Sequence, residues 1–246
     1  MWHRNVTLDE LKPLLDVKWT QFIPGLWQRP YWSSILKDIN DSLDRGQVIR
    51  PDMNDVFKAL NDVSMDRIRV VLVGQDPYPS DAAIGLSFAM RPMLKVQPSL
   101  MNVFKELDRC YDTSLTITRA MNGDLSSWLR QGVFLLNASL TVGTGYGKNT
   151  PHTHWNDFTA EVMRYIDATY KCVFMALGSS ALVTCLKLSQ TKRDQKTTEY
   201  RTTSGNWITS CTHPSPMANA RTTKPFIGSN VFVRCQTVRR CPNQWS

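Results

Sequence analysis

The chain holds no cysteine pair spaced Cys-x-x-Cys, no apolar run of membrane-spanning length, no internal repeat and no low-complexity tract. The first absence argues against a zinc site, whose ligands come in closely spaced pairs. The second argues against a spanning helix, which needs about 20 apolar residues. Met1-Trp2-His3-Arg4 is not followed by the apolar stretch of a secretory leader. The six cysteines, Cys110, Cys172, Cys185, Cys211, Cys235 and Cys241, are therefore expected to be reduced. That places the chain inside the cell, in nucleus or cytoplasm, without a membrane. Cys172 and Cys211 sit in apolar runs and read as core thiols. Charged residues are only 20% of the sequence, too few for a disordered polyelectrolyte.

Acidic residues are outnumbered: 21 Asp and Glu face 29 Lys and Arg, a formal charge of +8. That balance favours anionic partners and supports non-specific attraction to nucleic acid, although well-solvated proteins of other classes share it. At 246 residues and 42% hydrophobic, the chain can bury one sizeable core and does not demand two. We therefore expect a single domain over 1–246 and a monomer.

Four β-rich runs stand out: Ile68 to Val73, Val133 to Leu136, Cys172 to Leu177 and Trp207 to Cys211. Each is continuously apolar rather than alternating, which predicts strands buried on both faces. Between them lie helical patterns at Ser99 to Leu107, Trp155 to Ala168 and Ser180 to Leu188. The alternation predicts an α/β fold with a parallel sheet covered by helices. Ligands in such folds collect at the carboxyl ends of the strands. There this chain places Gly74-Gln75-Asp76-Pro77-Tyr78-Pro79, then Asn137, then Gly178-Ser179, then His213-Pro214-Ser215-Pro216-Met217. The polar segment Lys187 to Asn206 reads as an exposed excursion, in hairpin form. The tail from Arg234 to Ser246 carries Arg234, Arg239 and Arg240; it reads as solvated surface or as a DNA contact.

Each candidate has a bland reading and a chemical one. Asp76 before Pro77 is ordinarily a turn former; a carboxylate fixed at a pocket can also orient a water or stabilise positive charge on a sugar. Asn137 is a cap or left-handed residue, or an amide that offers a donor and an acceptor side by side. The O4 and N3–H of uracil are the complementary pair, and cytosine presents the opposite pattern. His213 is a packed imidazole, or a neutral donor to charge developing on a departing base. The second role requires a lowered pKa. Phe88 is a core aromatic or a stacking wall for a planar base. Tyr78 can fill the space of a pyrimidine 5-methyl. Ser99, Ser179 and Ser215 are turn residues, or a row of hydroxyls and helix starts that grips phosphates. Ser99 also fits a helix N-cap.

Gly74-Gln75-Asp76-Pro77-Tyr78, Gly132-Val133-Phe134-Leu135-Leu136-Asn137 and His213-Pro214-Ser215-Pro216, in this order, resemble the main, ubiquitous family of uracil-DNA glycosylases. Pro98-Ser99-Leu100, Gly123 to Trp128, Asn137 to Val142 and Gly178-Ser179 extend the likeness over roughly Trp27 to Thr237. The resemblance implies a single domain with a four-stranded, mainly parallel sheet flanked by helices. It implies a hydrolase that flips uracil from single- or double-stranded DNA and cuts its glycosidic bond, with no metal and no cofactor. By motif position Asp76 resembles the water-orienting, cation-stabilising carboxylate and His213 the neutral donor to uracil O2. Asn137 resembles the uracil reader, Phe88 the stacking ring and Tyr78 the thymine gate, with the main chain around Gln75 touching the base. Pro98-Ser99, Gly178-Ser179 and Pro214-Ser215 correspond to the phosphate-gripping strings. Met217 stands where the family usually wedges a Leu into the gap left by the flipped base. The resemblance also implies, as partners, a DNA-mimicking protein inhibitor or a replication protein.

Two departures stand out. Pro79 replaces the usual His after Pro-Tyr, as in poxvirus members, and the loop from Ser80 to Gly85 is one residue short without its usual Gln-Ala-His. With the long basic excursion, they suggest a second reading on the same fold: a replication accessory that binds DNA and catalyses weakly.

Overall fold

The computed structural model describes residues 1–119, 122–190 and 197–239, with side chains as far as residue 237. Three short strands form an antiparallel sheet: β1 (Val48–Arg50), β4 (Val142–Gly145) and β5 (Lys148–Pro151), in the order β1-β4-β5. The main sheet contains β2 (Val70–Gly74), β3 (Val133–Asn137), β6 (Val173–Leu177), β7 (Glu199–Arg201) and β8 (Trp207–Cys211), in the order β3-β2-β6-β8-β7. The four apolar runs are its parallel strands, and every residue of β2, β3 and β6 is buried. Burial on both faces follows from their unbroken Val, Leu and Phe content, because helices cover both sides of such a sheet.

The sheet has five strands rather than the four implied by the resemblance. The fifth, β7, pairs antiparallel with β8 and comes from the Lys187 to Asn206 segment. The hairpin expected there exists at its carboxyl end, where Thr202 N–H donates to Asn206 O at 2.9 Å. Residues 191–196 of that segment lie outside the described ones. The β1-β4-β5 sheet has no precursor in the sequence reading: Val142-Gly143-Thr144-Gly145 and Lys148-Asn149-Thr150-Pro151 have neither alternation nor strand-forming residues in number.

Six helices matter for the site: α1 (Tyr31–Asp44), α2 (Pro98–Tyr111), α3 (Trp155–Thr169), α4 (Ser179–Leu186), α5 (Pro216–Ala220) and α6 (Val231–Arg239). In α2, Leu100, Val103, Phe104 and Leu107 are buried, as their spacing predicts. Gln97, not Ser99, is its N-cap, and Ser99 is the second helical residue. The Pro98 ring sets the first helical φ, so the helix starts two residues earlier than a cap at Ser99 would allow. Arg234 is on α6 and turns inward: its guanidinium donates to Ser210 O at 2.8 Å, Thr198 Oγ1 at 2.9 Å and Ser229 O at 3.3 Å. It ties α6 to β8 and is not a loose tail contact. The Arg239 side chain and residues 240–246 lie outside the described residues. Cys172 is a buried core thiol, while Cys211, at the end of β8, is part-buried against the core rather than within it, and burial pushes its thiol up to about 12. Among the described residues no helix is long and apolar enough to cross a membrane.

Strand order reverses between β2 and β6, since β2 leads to β3 on one side while β6 leads to β8 on the other. The crevice at such a switch point, outside the carboxyl ends of the strands, is where α/β sheets hold ligands.

A buried histidine braces the wall beside that crevice. His152 follows β5, and its ring lies between Ser42 Oγ at 2.9 Å and Thr141 Oγ1 at 2.7 Å. Trp155 Nε1 donates to the same Thr141 hydroxyl at 2.7 Å, and Ser139 Oγ donates to His152 O at 2.8 Å. Burial pushes the His152 pKa down from 6.5 to about 4. The unfolded chain therefore takes up this proton first as pH falls. The stability is intact above about 6.5, is lost between there and about 4, and is constant below. At about 1.4 kcal/mol per pKa unit the loss is about 3 kcal/mol. Urea unfolding of the wild type and His152→Gln at several pH values checks this: the wild type should lose about 3 kcal/mol more across the interval.

Candidate active site

Gly74 ends β2 in register with Asn137 of β3. A Cβ on Gly74 would lie 2.2 Å from Ser87 Oγ and 2.4 Å from Asn137 Oδ1, so only glycine lets the Asn137 amide lie across the strand end. The pairing continues beyond the strands, with Ala138 N–H to Gly74 O at 3.0 Å and Ser139 N–H to Gln75 O at 2.9 Å. Asn137 is buried, and its amide makes no hydrogen bond to any described side chain or backbone group. It is held in place by the strand and left with its donor and acceptor unused.

Beyond Gly74 the chain turns through Gln75, Asp76 and Pro77. The Asp76 carboxylate is part-buried and accepts no hydrogen bond from the described residues; burial raises its pKa above 3.8. Tyr78 Oη donates to Phe88 O at 2.9 Å, which ties this turn to the Phe88 segment. Phe88 has φ 60°, a left-handed backbone that costs a bulky residue of order 1–3 kcal/mol. That conformation sets its ring beside the His213 imidazole, with centroids 5.8 Å apart and planes 35° apart.

His213 follows β8 and is fixed from several sides. A Cβ on Gly178, which has φ 106°, would lie 2.9 Å from His213 Cβ, so glycine is needed for the imidazole to approach β6. Asn219 Nδ2 donates to Ser215 O at 2.8 Å and to His213 O at 3.2 Å, and Asn102 Nδ2 donates to Pro214 O at 2.7 Å. The backbone N–H of Ser215 donates to His213 Nδ1 at 3.1 Å. A nitrogen that accepts carries no proton, so the neutral ring has its hydrogen on Nε2. Burial lowers the His213 pKa below 6.5.

These residues meet at one cavity of about 240 Å³, lined by Gln75, Asp76, Tyr78, Phe88, Asn137 and His213, with Ser99 at its edge. Seven of the residues singled out from sequence are thus brought together. Gly178 and Ser179 instead border an adjoining cavity that also touches His213. Pro98, Pro214, Ser215 and Met217 line none of these cavities: Pro98 begins α2, Pro214 and Ser215 lie between His213 and α5, and Met217 is on α5. Ser215 caps α5, accepting from Ala218 N–H at 3.3 Å, and Met217 is 63% exposed on that helix. Among the described residues no cluster of His, Cys, Asp and Glu could hold a metal ion.

Sequence reading missed Asn149, which lines the cavity from β5, and the asparagines Asn102 and Asn219, which hold the His213 loop. A lone Asn in a Gly-rich segment has no periodic or motif signal. The loop of Pro79, Ala83, Ile84, Gly85 and Leu86 forms one wall despite its shortness. Arg50 pairs with Asp81 of this loop, and Arg91 Nε donates to Asp81 O at 3.2 Å.

Comparison with known proteins points one way. A sequence model of the "Uracil DNA glycosylase superfamily" matches residues 62–233. The chain is 34% identical to the uracil-DNA glycosylase of Klebsiella pneumoniae (strain 342) over 232 residues, 94% of this chain and 90% of that protein. It is 30% identical to the uracil-DNA glycosylase of Campylobacter jejuni (strain 81-176) over 245 residues, 98% and 97% respectively. The crystal structure of mimivirus uracil-DNA glycosylase superposes with a TM-score of 0.75 at 24% identity, covering 100% of this chain and 95% of that one. A variant of the mimivirus protein in complex with UGI gives the same TM-score over 96% and 90%.

Proposed function

The chain belongs to the uracil DNA glycosylase superfamily, and from that premise we propose how its own residues carry the reaction. The activity is that of a monofunctional DNA glycosylase: uracil is extruded from DNA, its N-glycosidic bond is hydrolysed, and an abasic site remains for base excision repair. No lysine lines the cavity among the described residues, in keeping with hydrolysis by water rather than a Schiff base.

The observation that carries the residue assignment is the state of His213. Its Nδ1 accepts from Ser215 N–H and its pKa is lowered, so Nε2–H is a neutral donor available to the cavity. Such a donor suits O2 of a departing uracil anion. Asp76, on the other side, suits the oxocarbenium-like sugar and the incoming water. Two opposite charges developing in a water-poor pocket are stabilised there more strongly than in solution. Asn137 reads O4 and N3–H. Phe88 stacks on the ring, Tyr78 occupies the place of a 5-methyl, and the Gln75 main chain touches the base.

Outside the pocket Pro98-Ser99, Gly178-Ser179 and Pro214-Ser215 grip phosphates, and Met217, exposed on α5, wedges into the vacated stack. The strings around Asp76, Asn137 and His213 support assignment to the main, ubiquitous type, with Pro79 in the manner of poxvirus members. We read the protein as a single-domain, intracellular monomer that accepts single- or double-stranded DNA. Its basic surface suits an acidic, DNA-mimicking inhibitor at the same face, in keeping with the mimivirus UNG–UGI complex.

The experiment is release of uracil from an oligonucleotide, read as strand breaks after alkali. Asn137→Asp adds the specificity test. An ionised Asp offers acceptors only, and a protonated one can accept from the cytosine amino group while donating to its N3, so the variant should cut uracil substrates at least about tenfold more slowly and acquire measurable release of cytosine. Unchanged uracil rates with no cytosine release would contradict the reader role.

A further inference from the structure

One wall of the uracil cavity, formed by Pro79, Ala83, Ile84, Gly85 and Leu86, is a loop, and a loop keeps its place only through what ties it down. Its later half is tied by backbone: Arg91 N–H donates to Ala82 O at 2.9 Å, and Ala83 pairs with Met90. Its earlier half is tied at Asp81. Arg91 Nε donates to Asp81 O at 3.2 Å, and the Asp81 carboxylate pairs with the guanidinium of Arg50. Arg50 ends β1, which pairs with β4; β4 pairs with β5, and β5 supplies Asn149 to the same cavity. The ion pair thus joins the loop to the small antiparallel sheet.

The pair is lopsided. The Arg50 side chain is 22% exposed and its Nε is buried without an acceptor, while the Asp81 side chain is 79% exposed. A guanidinium largely withdrawn from water is unfavourable unless a carboxylate meets it. Arg50 is therefore fixed in the body of the protein, and Asp81 is the group that comes to it. An exposed acid two residues from a cavity wall also repels approaching phosphates. For a protein of net charge +8 whose substrate is DNA, that repulsion sets the carboxylate apart and calls for a local use.

We propose that Arg50 is a positioning residue for uracil release: through Asp81 it holds the loop from Pro79 to Leu86 in place as a wall of the cavity. With the wall in place the space around Asp76 and His213 stays poor in water, and the opposite charges that develop there are stabilised more strongly. Without the pair the earlier half of the loop loses its side-chain tie, solvent enters and the rate falls. Contacts to DNA made elsewhere are untouched. The inference rests on the uracil-releasing reading above and adds a residue that touches neither base nor strand.

The test measures kcat and KM for uracil release from an oligonucleotide. The enzymes are wild type, Arg50→Met, Asp81→Asn, Asp81→Glu and the double variant Arg50→Met with Asp81→Asn. In Arg50→Met and in Asp81→Asn, kcat should fall about fivefold, with KM within about twofold of wild type. The double variant should be no slower than Arg50→Met alone, because both changes remove the same pair. Asp81→Glu keeps the charge and should regain most of the rate. The thermal midpoint of Asp81→Asn should stay within about 2 °C of wild type, which separates the position of the wall from global stability. A loss in Arg50→Met confined to KM would make Arg50 a DNA contact and overturn the proposal. Wild-type kcat in Asp81→Asn would overturn it too, as would losses that multiply in the double variant. If the wild type itself releases no uracil, the functional reading beneath falls as well, so the two failures are distinguishable.

Discussion

His213→Leu lowers kcat for uracil release by about 10²–10³-fold while leaving DNA binding largely in place. The leucine fills much of the same volume against Phe88 and Gly178, so the loop keeps its packing and loses one donor. What disappears is an N–H already desolvated and already in the right tautomer, because Ser215 N–H occupies Nδ1. A donor fixed before the reaction costs no reorganisation when charge develops on the base, which is why its loss acts on the rate rather than on affinity. KM within about twofold of wild type and kcat reduced as stated is the expected pattern in single-turnover and steady-state assays. A variant with normal kcat removes His213 from the mechanism.

The second large effect is Asp76→Asn, expected to reduce kcat by about 10²–10⁴-fold. The carboxylate accepts no hydrogen bond from the described residues, so the isosteric amide disturbs little of the protein. It does remove the charge that favours a sugar cation and the acceptor that orients water. The pH profile separates this from a general loss of fit. Burial holds Asp76 above 3.8 and His213 below 6.5, and both act deprotonated. Activity is therefore full once both groups are deprotonated and falls on the acid side as they take up protons. In Asp76→Asn the remaining activity should lose the acid limb that belongs to the carboxylate. An unchanged acid limb in that variant would assign it to another group.

Much of this site was legible because its chemistry sits at strand ends. Unbroken runs such as Val133 to Leu136 gave buried parallel strands, and the polar residue terminating each run then had to face the crevice. What was not legible depended on space rather than pattern. Nothing in the string Gly74-Gln75-Asp76 says that Ser87 and Asn137 leave no room for a Cβ on the glycine. Nor does anything show that Phe88 adopts a left-handed backbone, or that Ser215 N–H fixes the His213 tautomer. Strand β7 escaped notice because Glu199-Tyr200-Arg201 is three residues at a sheet edge, where polar side chains are tolerated and pairing with β8 decides the conformation. Arg234 looked like surface in a basic tail, yet three oxygens of neighbouring segments hold it inward. Long-range hydrogen bonds of that kind have no local signature.

The ¹⁵N spectrum of the His213 imidazole, recorded near neutral pH with uracil filling the pocket, bears most directly on the chemistry. A neutral ring with its proton on Nε2 is the predicted result. An imidazolium, or a neutral ring protonated on Nδ1, would contradict the account.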